Sequence, residues 1–200
     1  MTSTTRATTI DPATIERLHV RLVAAAARDR LLDVAYRTLD TPVGPLLVAA
    51  TEAGLVRVAF ANEGHDHVLD ELATQVSPRV LRAPARLDTV ARELEEYFAR
   101  RRRAFDVPLD LRLSHGFRRE VLGALREIAY GATASYADVA AATGRPRATR
   151  AVGSACRTNP LPIIVPCHRV IRSDGTEGNY AGGVAVKHTL LALEASAATA

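Results

Sequence analysis

The spacing of apolar residues changes several times along the chain, and each change marks an element. Ile15, Leu18, Leu22 and Ala25 or Ala26 recur at helical spacing behind Asp11-Pro12, a capping acid followed by proline at the first helical position. This predicts a helix running to about Leu32, preceded by a polar, Thr-rich stretch, residues 1–10, that is expected to be disordered. From Val34 the pattern shifts to short β-type runs over residues 34–39, 44–50 and 55–60, separated by Thr41-Pro42-Val43-Gly44 and Glu52-Ala53-Gly54. Turn residues between such runs predict a three-stranded antiparallel meander. A helix over residues 67–76, a short strand near Val80 and a helix over residues 86–99 follow.

Beyond a mixed stretch at residues 105–113 the helical period returns over residues 117–128, with Val121, Leu122, Leu125 and Ile128 on one face. Ser135 is placed to cap a helix reaching about Ala142, and Gly144-Arg145-Pro146 forces a turn before a third helix over residues 147–157. Short helix, turn and second helix make a helix-turn-helix candidate, a pattern that many helical cores also contain. Residues 159–166, with three prolines, read as stiff and extended, and residues 184–195 as a closing helix. No internal repeat is visible.

Composition narrows the reading. Two hundred residues, 48% hydrophobic and 24% charged, suffice for one ordinary domain or two small subdomains sharing a core. Aromatics are only 4% and Trp is absent, which speaks against stacking platforms for single strands or sugars. No run approaches the roughly 20 apolar residues that span a bilayer, and no signal peptide opens the chain, so a cytoplasmic protein without membrane contact is expected. Cys156 and Cys167 are expected as free thiols, and two cysteines cannot build a zinc site from cysteine pairs. The net charge of +4 is uneven: residues 1–110 carry 15 Arg against 16 Asp plus Glu, residues 111–200 carry 11 Lys plus Arg against 6. An anionic partner therefore belongs on the C-terminal half. The run Arg100 to Arg103 reads as a solvated helix end that suits the helix dipole, with a phosphate contact as the alternative.

Two segments carry candidate chemistry. The third helix combines Ala148, Ala151, Gly153, Ser154 and Ala155 with Arg147, Arg150 and Arg157. A helix this slim could approach the minor groove of DNA, about 6 Å wide, or pack tightly against a neighbouring helix. The second segment is Ile164-Val165-Pro166-Cys167-His168-Arg169-Val170-Ile171. A thiolate is a strong nucleophile, and a thiol with a reference pKa of about 8.5 needs a base or a positive neighbour to form one. Cys-His dipeptides are more often buried core pairs, but the apolar flanks and prolines here argue for a polar pair set into the core for chemistry.

Around these residues the chain resembles the O6-alkylguanine-DNA alkyltransferases, or methylated-DNA-protein-cysteine methyltransferases. The matching motifs are Tyr130-Gly131, Ser135-Tyr136, Arg150-Ala151-Val152-Gly153, Asn159-Pro160, Pro166-Cys167-His168-Arg169-Val170, Gly178-Asn179-Tyr180-Ala181-Gly182-Gly183 and Leu190-Leu191-Ala192-Leu193-Glu194. A weaker match, including Tyr97-Phe98 and residues 107–111, extends over most of the chain after Val34. Ala129 and Leu122 depart from the family's usual proline and tryptophan, as does Ser114-His115-Gly116-Phe117 from its usual lead into the helix, at what read as packing positions.

The resemblance implies an α+β fold in which a sheet-bearing N-terminal subdomain, residues 34–112, precedes a helical subdomain, residues 113–200, with a winged-helix-like helix-turn-helix and an active-site loop. Residues 1–33 have no counterpart. It implies that Cys167 takes the alkyl group from O6-alkylguanine, and from O4-alkylthymine, in double-stranded DNA. His168 would accept the thiol proton through a water, Glu194 hold the imidazole, Tyr180 donate to the leaving guanine, and Asn159 tie helix to loop. Arg150 would fill the gap left by the flipped base and Tyr136 crowd its phosphate. Arg147, Ala151, Gly153 and Ser154 would contact DNA, and Pro162 with the main chain of Val170 and Ala181 would line the base pocket. The thioether product cannot be hydrolysed by any side chain present, so one turnover per chain by a monomer, without metal or cofactor, is implied. A Cys-His hydrolase and a catalytically inert lesion-binding protein are the rival readings. The first lacks any sign of an acyl pocket, and the presence of Cys167 speaks against the second.

Overall fold

The computed structural model describes residues 11–195. Asp11 caps α1 (Pro12–Arg28), its carboxylate accepting from the Ala13 and Thr14 N–H groups. The helix ends four residues before the expected Leu32, because Arg30 turns to a positive φ of 55°. Its inner face is Val23 and Ala26, with the His19 ring bonded to the Arg82 carbonyl at 2.6 Å. The stripe Ile15, Leu18 and Leu22 faces outward, each residue more than half exposed. The expected disorder of residues 1–10 lies outside the described residues.

The meander forms as β1 (Val34–Leu39), β2 (Leu46–Thr51) and β3 (Gly54–Phe60), and the short run at Val80 becomes β4 (Val80–Arg82), parallel to β1 in a sheet of order β3-β2-β1-β4. Both faces are covered, which explains why residues 46–50 of β2 are apolar without a break rather than alternating. Leu46 and Val48 join the main core, while Leu47 and Ala49 join a second cluster with Val68 and Leu72 of α2 (His65–Gln75). The open edge of β3 is closed by other parts of the chain: Leu55 N–H donates to the Pro108 carbonyl and Val58 N–H to the Pro160 carbonyl, each at 2.8 Å. A methyl added at Gly54, where φ is +141°, would lie 2.3 Å from the Pro108 oxygen.

After α3 (Asp88–Phe98), Arg100 takes a positive φ of 61° and the arginine run folds back. Arg102 is no solvated helix end: it is mostly buried, bonding Glu96 at 2.8 Å and Asp106 at 2.9 Å. Arg100, Arg101 and Arg103 are exposed.

The C-terminal part comprises α4 (Gly116–Arg126), α5 (Tyr136–Ala142), α6 (Thr149–Arg157) and α7 (Val184–Ala195), with a two-stranded parallel pair, β5 (Ala134–Ser135) and β6 (Val170–Ile171). Ser135 and Asp138 form a reciprocal capping box on α5. α6 starts two residues later than the spacing suggests, since a turn bond from Ala148 N–H to the Arg145 carbonyl occupies the chain before it. Arg147 therefore lies in the turn, exposed, and not in the helix. Val152, Ala155 and Cys156 pack inward, leaving Arg150, Ala151, Ser154 and Arg157 exposed.

Residues 159–166 are not extended. Val165 N–H bonds back to the Leu161 carbonyl at 2.8 Å and Ile163 adopts a φ of 73°. A β-branched residue in the left-handed region costs on the order of 1–3 kcal/mol, offset by burying the whole segment.

Candidate active site

The sequence places Cys167 directly after the buried turn, and Pro166 leads it into a single 3-10 turn, Cys167–Arg169. Asn159, the second residue beyond α6, organises both sides of that turn. Its Oδ1 accepts from Leu161 N–H at 2.9 Å, and its Nδ2 donates to the Val165 carbonyl at 2.9 Å and to Cys167 Sγ at 3.1 Å. Cys167 is 2% exposed and burial pushes its thiol up to about 11, against the opposing Asn159 hydrogen bond and the charge of Lys187. Cys156 on the inner face of α6 is pushed up to about 12 by burial and by the neighbouring Cys167.

His168 is fully buried and its Nε2 faces Glu194 Oε1 at 2.8 Å. Burial works to raise the Glu194 carboxyl, but hydrogen bonds from His168 and Arg169 outweigh it and hold the group at about 2. An ionised carboxylate only accepts, so Nε2 carries the imidazole proton and Nδ1 presents a lone pair. Nδ1 is buried and has no partner among the described residues. Burial lowers the imidazole pKa more than Glu194 raises it, keeping the ring neutral and basic at physiological pH.

The sequence motifs contain Arg169, Tyr97 and Gly131 but give them no role at Glu194. Arg169 Nε and Nη2 donate to its two oxygens at 2.8 and 3.0 Å, Tyr97 Oη to Oε1 at 2.7 Å, and Gly131 N–H to Oε2 at 3.2 Å. Tyr97 comes from α3, so one carboxylate ties α3, the Cys-His turn and α7 together. Lys187 was also missed. It is fully buried on α7 and its Nζ donates to the Val170 carbonyl, burial lowering its pKa. The apolar spacing of α7 gives no sign of an inward lysine.

The Tyr180 ring sits edge-on to the His168 ring, centroids 6.3 Å apart, and edge-on to Phe60 at 5.5 Å. Its hydroxyl is buried without a partner among the described residues, and burial raises its pKa well above the ordinary value, so it remains a proton donor. Ala181 lies beside it, but its carbonyl is taken by Asn62 Nδ2 at 2.8 Å. Val170 and Pro162 are buried in the wall around the thiol turn, and the Val170 carbonyl retains a second lone pair.

Next to this buried cluster is an open groove of about 550 Å³, lined by Tyr136, Arg150, Gly153, Arg172, Gly178 and Asn179, with Ser154 and Arg157 also on its wall. The Tyr136 ring is seated between two glycines: a methyl at Gly153 would lie 3.8 Å from the ring and one at Gly178 2.5 Å from its hydroxyl oxygen. The parallel β5–β6 pair, Ser135 opposite Ile171, joins the chain just before Tyr136 and α5 to the chain just after the Cys-His turn. Arg147 and Ala151 are exposed on the same helix-turn-helix. Among the described residues no group of three or more His, Cys, Asp or Glu is placed to hold a metal ion, and no helix is long and apolar enough to cross a membrane.

A buried thiol, a neutral imidazole base and a phenol donor beside a groove bearing exposed arginines can perform alkyl transfer from a polyanionic substrate. Comparison with known proteins gives this chemistry a family. Residues 34–111 match the family described as 6-O-methylguanine DNA methyltransferase, ribonuclease-like domain, and residues 116–196 the one described as 6-O-methylguanine DNA methyltransferase, DNA binding domain. The chain is 39% identical over 161 residues to a methylated-DNA--protein-cysteine methyltransferase of Methanosarcina acetivorans, covering 80% of this chain and 98% of that one. It is 39% identical over 160 residues to the constitutive enzyme of that name from Bacillus subtilis, covering 80% and 94%. A crystal structure of Mycobacterium tuberculosis OGT in complex with DNA superposes with a TM-score of 0.72 at 39% identity, covering 82% of this chain and 94% of that one. Both halves of the fold and the buried Cys-His turn thus agree: the chain belongs to the 6-O-methylguanine DNA methyltransferase family.

Proposed function

We propose that this protein repairs O6-alkylguanine, and O4-alkylthymine, in double-stranded DNA by moving the alkyl group irreversibly to Cys167. The observation that carries the reading is the Asn159–Cys167 contact beside the His168–Glu194 pair, one turn of chain away from a groove formed by a helix-turn-helix. Duplex DNA lies along α6, whose exposed Ala151 and Ser154 and half-buried Gly153 admit the minor groove, with Arg147 on a phosphate. Tyr136 crowds the phosphate of the damaged nucleotide, and Arg150 occupies the space the flipped base vacates. Extrusion of a base costs a few kcal/mol, which these two side chains offset.

In the pocket, neutral His168 takes the Cys167 proton from Sγ to Nδ1 through a bridging water. The thiolate is stabilised by the Asn159 amide and by the Lys187 charge. Sγ attacks the alkyl carbon, the carbon–O6 bond breaks, and the electron pair leaves with guanine. The Tyr180 phenol donates a hydrogen bond to the departing base, and the proton lost by the thiol is returned to it. The sum is thiol plus alkylguanine giving thioether plus guanine, with no cofactor. The Val170 carbonyl and the Ala181 N–H remain to read the base, with Pro162 in the pocket wall.

The protein acts as a monomer and, since its substrate is chromosomal DNA, in the cytoplasm with the nucleoid of a bacterium. Residues 34–112 form the supporting subdomain, residues 113–200 the DNA-binding and transferring one, and residues 1–33 an N-terminal tail and helix to which no role is assigned. Cys167→Ser separates binding from chemistry: it is expected to retain affinity for an O6-methylguanine duplex, weakening as salt rises, while transferring nothing. Transfer by this variant would remove Cys167 from the mechanism.

A further inference from the structure

Three successive residues of the loop over the thiol are held by two residues from the sheet subdomain. Asn62 Nδ2 donates to the Ala181 carbonyl at 2.8 Å, across 119 positions of chain. Phe60 meets the Tyr180 ring at 5.5 Å with the planes at 64°. A methyl at Gly182 would come to 3.0 Å from three atoms of the Phe60 ring, so that ring lies directly against the Gly182 backbone. The support is itself rigid. Phe60 is 2% exposed, its N–H is bound by Glu63 at 2.8 Å, and Glu63 pairs with Arg57 at 2.6 Å.

Among the described residues the thiol's side-chain hydrogen bond comes from Asn159, and Asn62 and Phe60 bear instead on residues 180–182, which follow the groove-lining Gly178 and Asn179. Gly178 and Asn179 line the groove, and Tyr180, next in sequence, stands over His168. A reacting carbon must be held within about 3–3.5 Å of the nucleophile for efficient attack, so the wall opposite Sγ sets which alkyl groups align. A methyl group relies on a close wall, whereas a benzyl group needs room.

We propose that Asn62 and Phe60 are positioning residues that set the width of the alkyl pocket and so favour small alkyl groups; the proposal rests on the transfer reaction above. The tether acts through the Ala181 carbonyl and the Tyr180 ring. Asn62 is exposed, so replacing it leaves the core intact.

The test compares transfer rates from matched duplexes carrying O6-methylguanine or O6-benzylguanine for the wild type, Asn62→Ala and Asn62→Asp, the last being isosteric but without the N–H donor. Both variants are expected to melt like the wild type. Their methyl transfer is expected to fall about tenfold while benzyl transfer holds or rises, so that the benzyl-to-methyl ratio climbs by about an order of magnitude. Phe60→Leu is expected to shift the ratio the same way. A ratio equal to that of the wild type in both Asn62 variants, whether the two rates stay or fall together, overturns the proposal. A wild type that alkylates Cys167 from neither duplex overturns the transfer reaction itself, a result told apart by the wild-type control.

Discussion

Arg150 is the residue whose role depends most on the substrate. Its side chain is exposed at the start of α6 and lines the groove. If it replaces the flipped base in the stack, it matters only where a stack exists. Arg150→Ala should slow transfer from duplex DNA by about two orders of magnitude, the rate equivalent of a few kcal/mol of unstacking, and leave reaction with free O6-benzylguanine nearly intact. Equal losses on both substrates at an unchanged melting temperature would show that the guanidinium supports the fold or the pocket instead. Cys167, His168 and Arg150 stand out in the sequence as candidates, because a nucleophile beside a base and an arginine on a slim helix are local patterns. The partners of Arg169, Tyr97, Lys187 and Asn62 do not, because they lie 25, 97, 17 and 119 positions away. Only folding shows what they touch.

Among the elements, those with a strong local signal were read correctly in kind: the meander, α4 with its one-sided apolar face, and the capped α5. Misreadings fell where a turn overrode composition. The prolines of residues 159–166 suggested extension, yet the Val165-to-Leu161 bond and the left-handed Ile163 fold the segment into a buried turn. The arginine run suggested solvated charge, yet Arg102 folds back against the buried Glu93 at 3.5 Å and bonds Glu96 at 2.8 Å. The β3 edge shows how much such non-local contacts matter. Gly54 is pressed against the Pro108 carbonyl at a φ that side chains rarely adopt. Gly54→Ala is therefore expected to destabilise the protein by about 2–4 kcal/mol through strain and lost edge pairing. Urea unfolding measures this, and a change below about 0.5 kcal/mol would mean that residues 108–110 detach from β3 at little cost.

For the whole molecule, Glu194 is the junction, bonded to side chains of α3 and of the Cys-His turn and to the backbone beyond α4. Its carboxyl is held at about 2, below the ordinary 4.5. A lowered folded-state value contributes stability that is complete above about pH 4.5 and is lost as pH falls through 2, on the order of 3 kcal/mol. Glu194→Gln should thus be less stable than the wild type at neutral pH, and the gap should close between pH 4.5 and 2; a gap constant with pH would mean that the carboxylate's charge is not what joins the parts. In the proposed reaction a single buried thiol receives the alkyl group and keeps it. The direct measurement is intact mass followed by peptide mapping after incubation with excess O6-methylguanine duplex. One added methyl per chain is expected, on Cys167, with Cys156 unmodified and no second turnover. A methyl mapped to any other residue, or more guanine released than protein present, would contradict it.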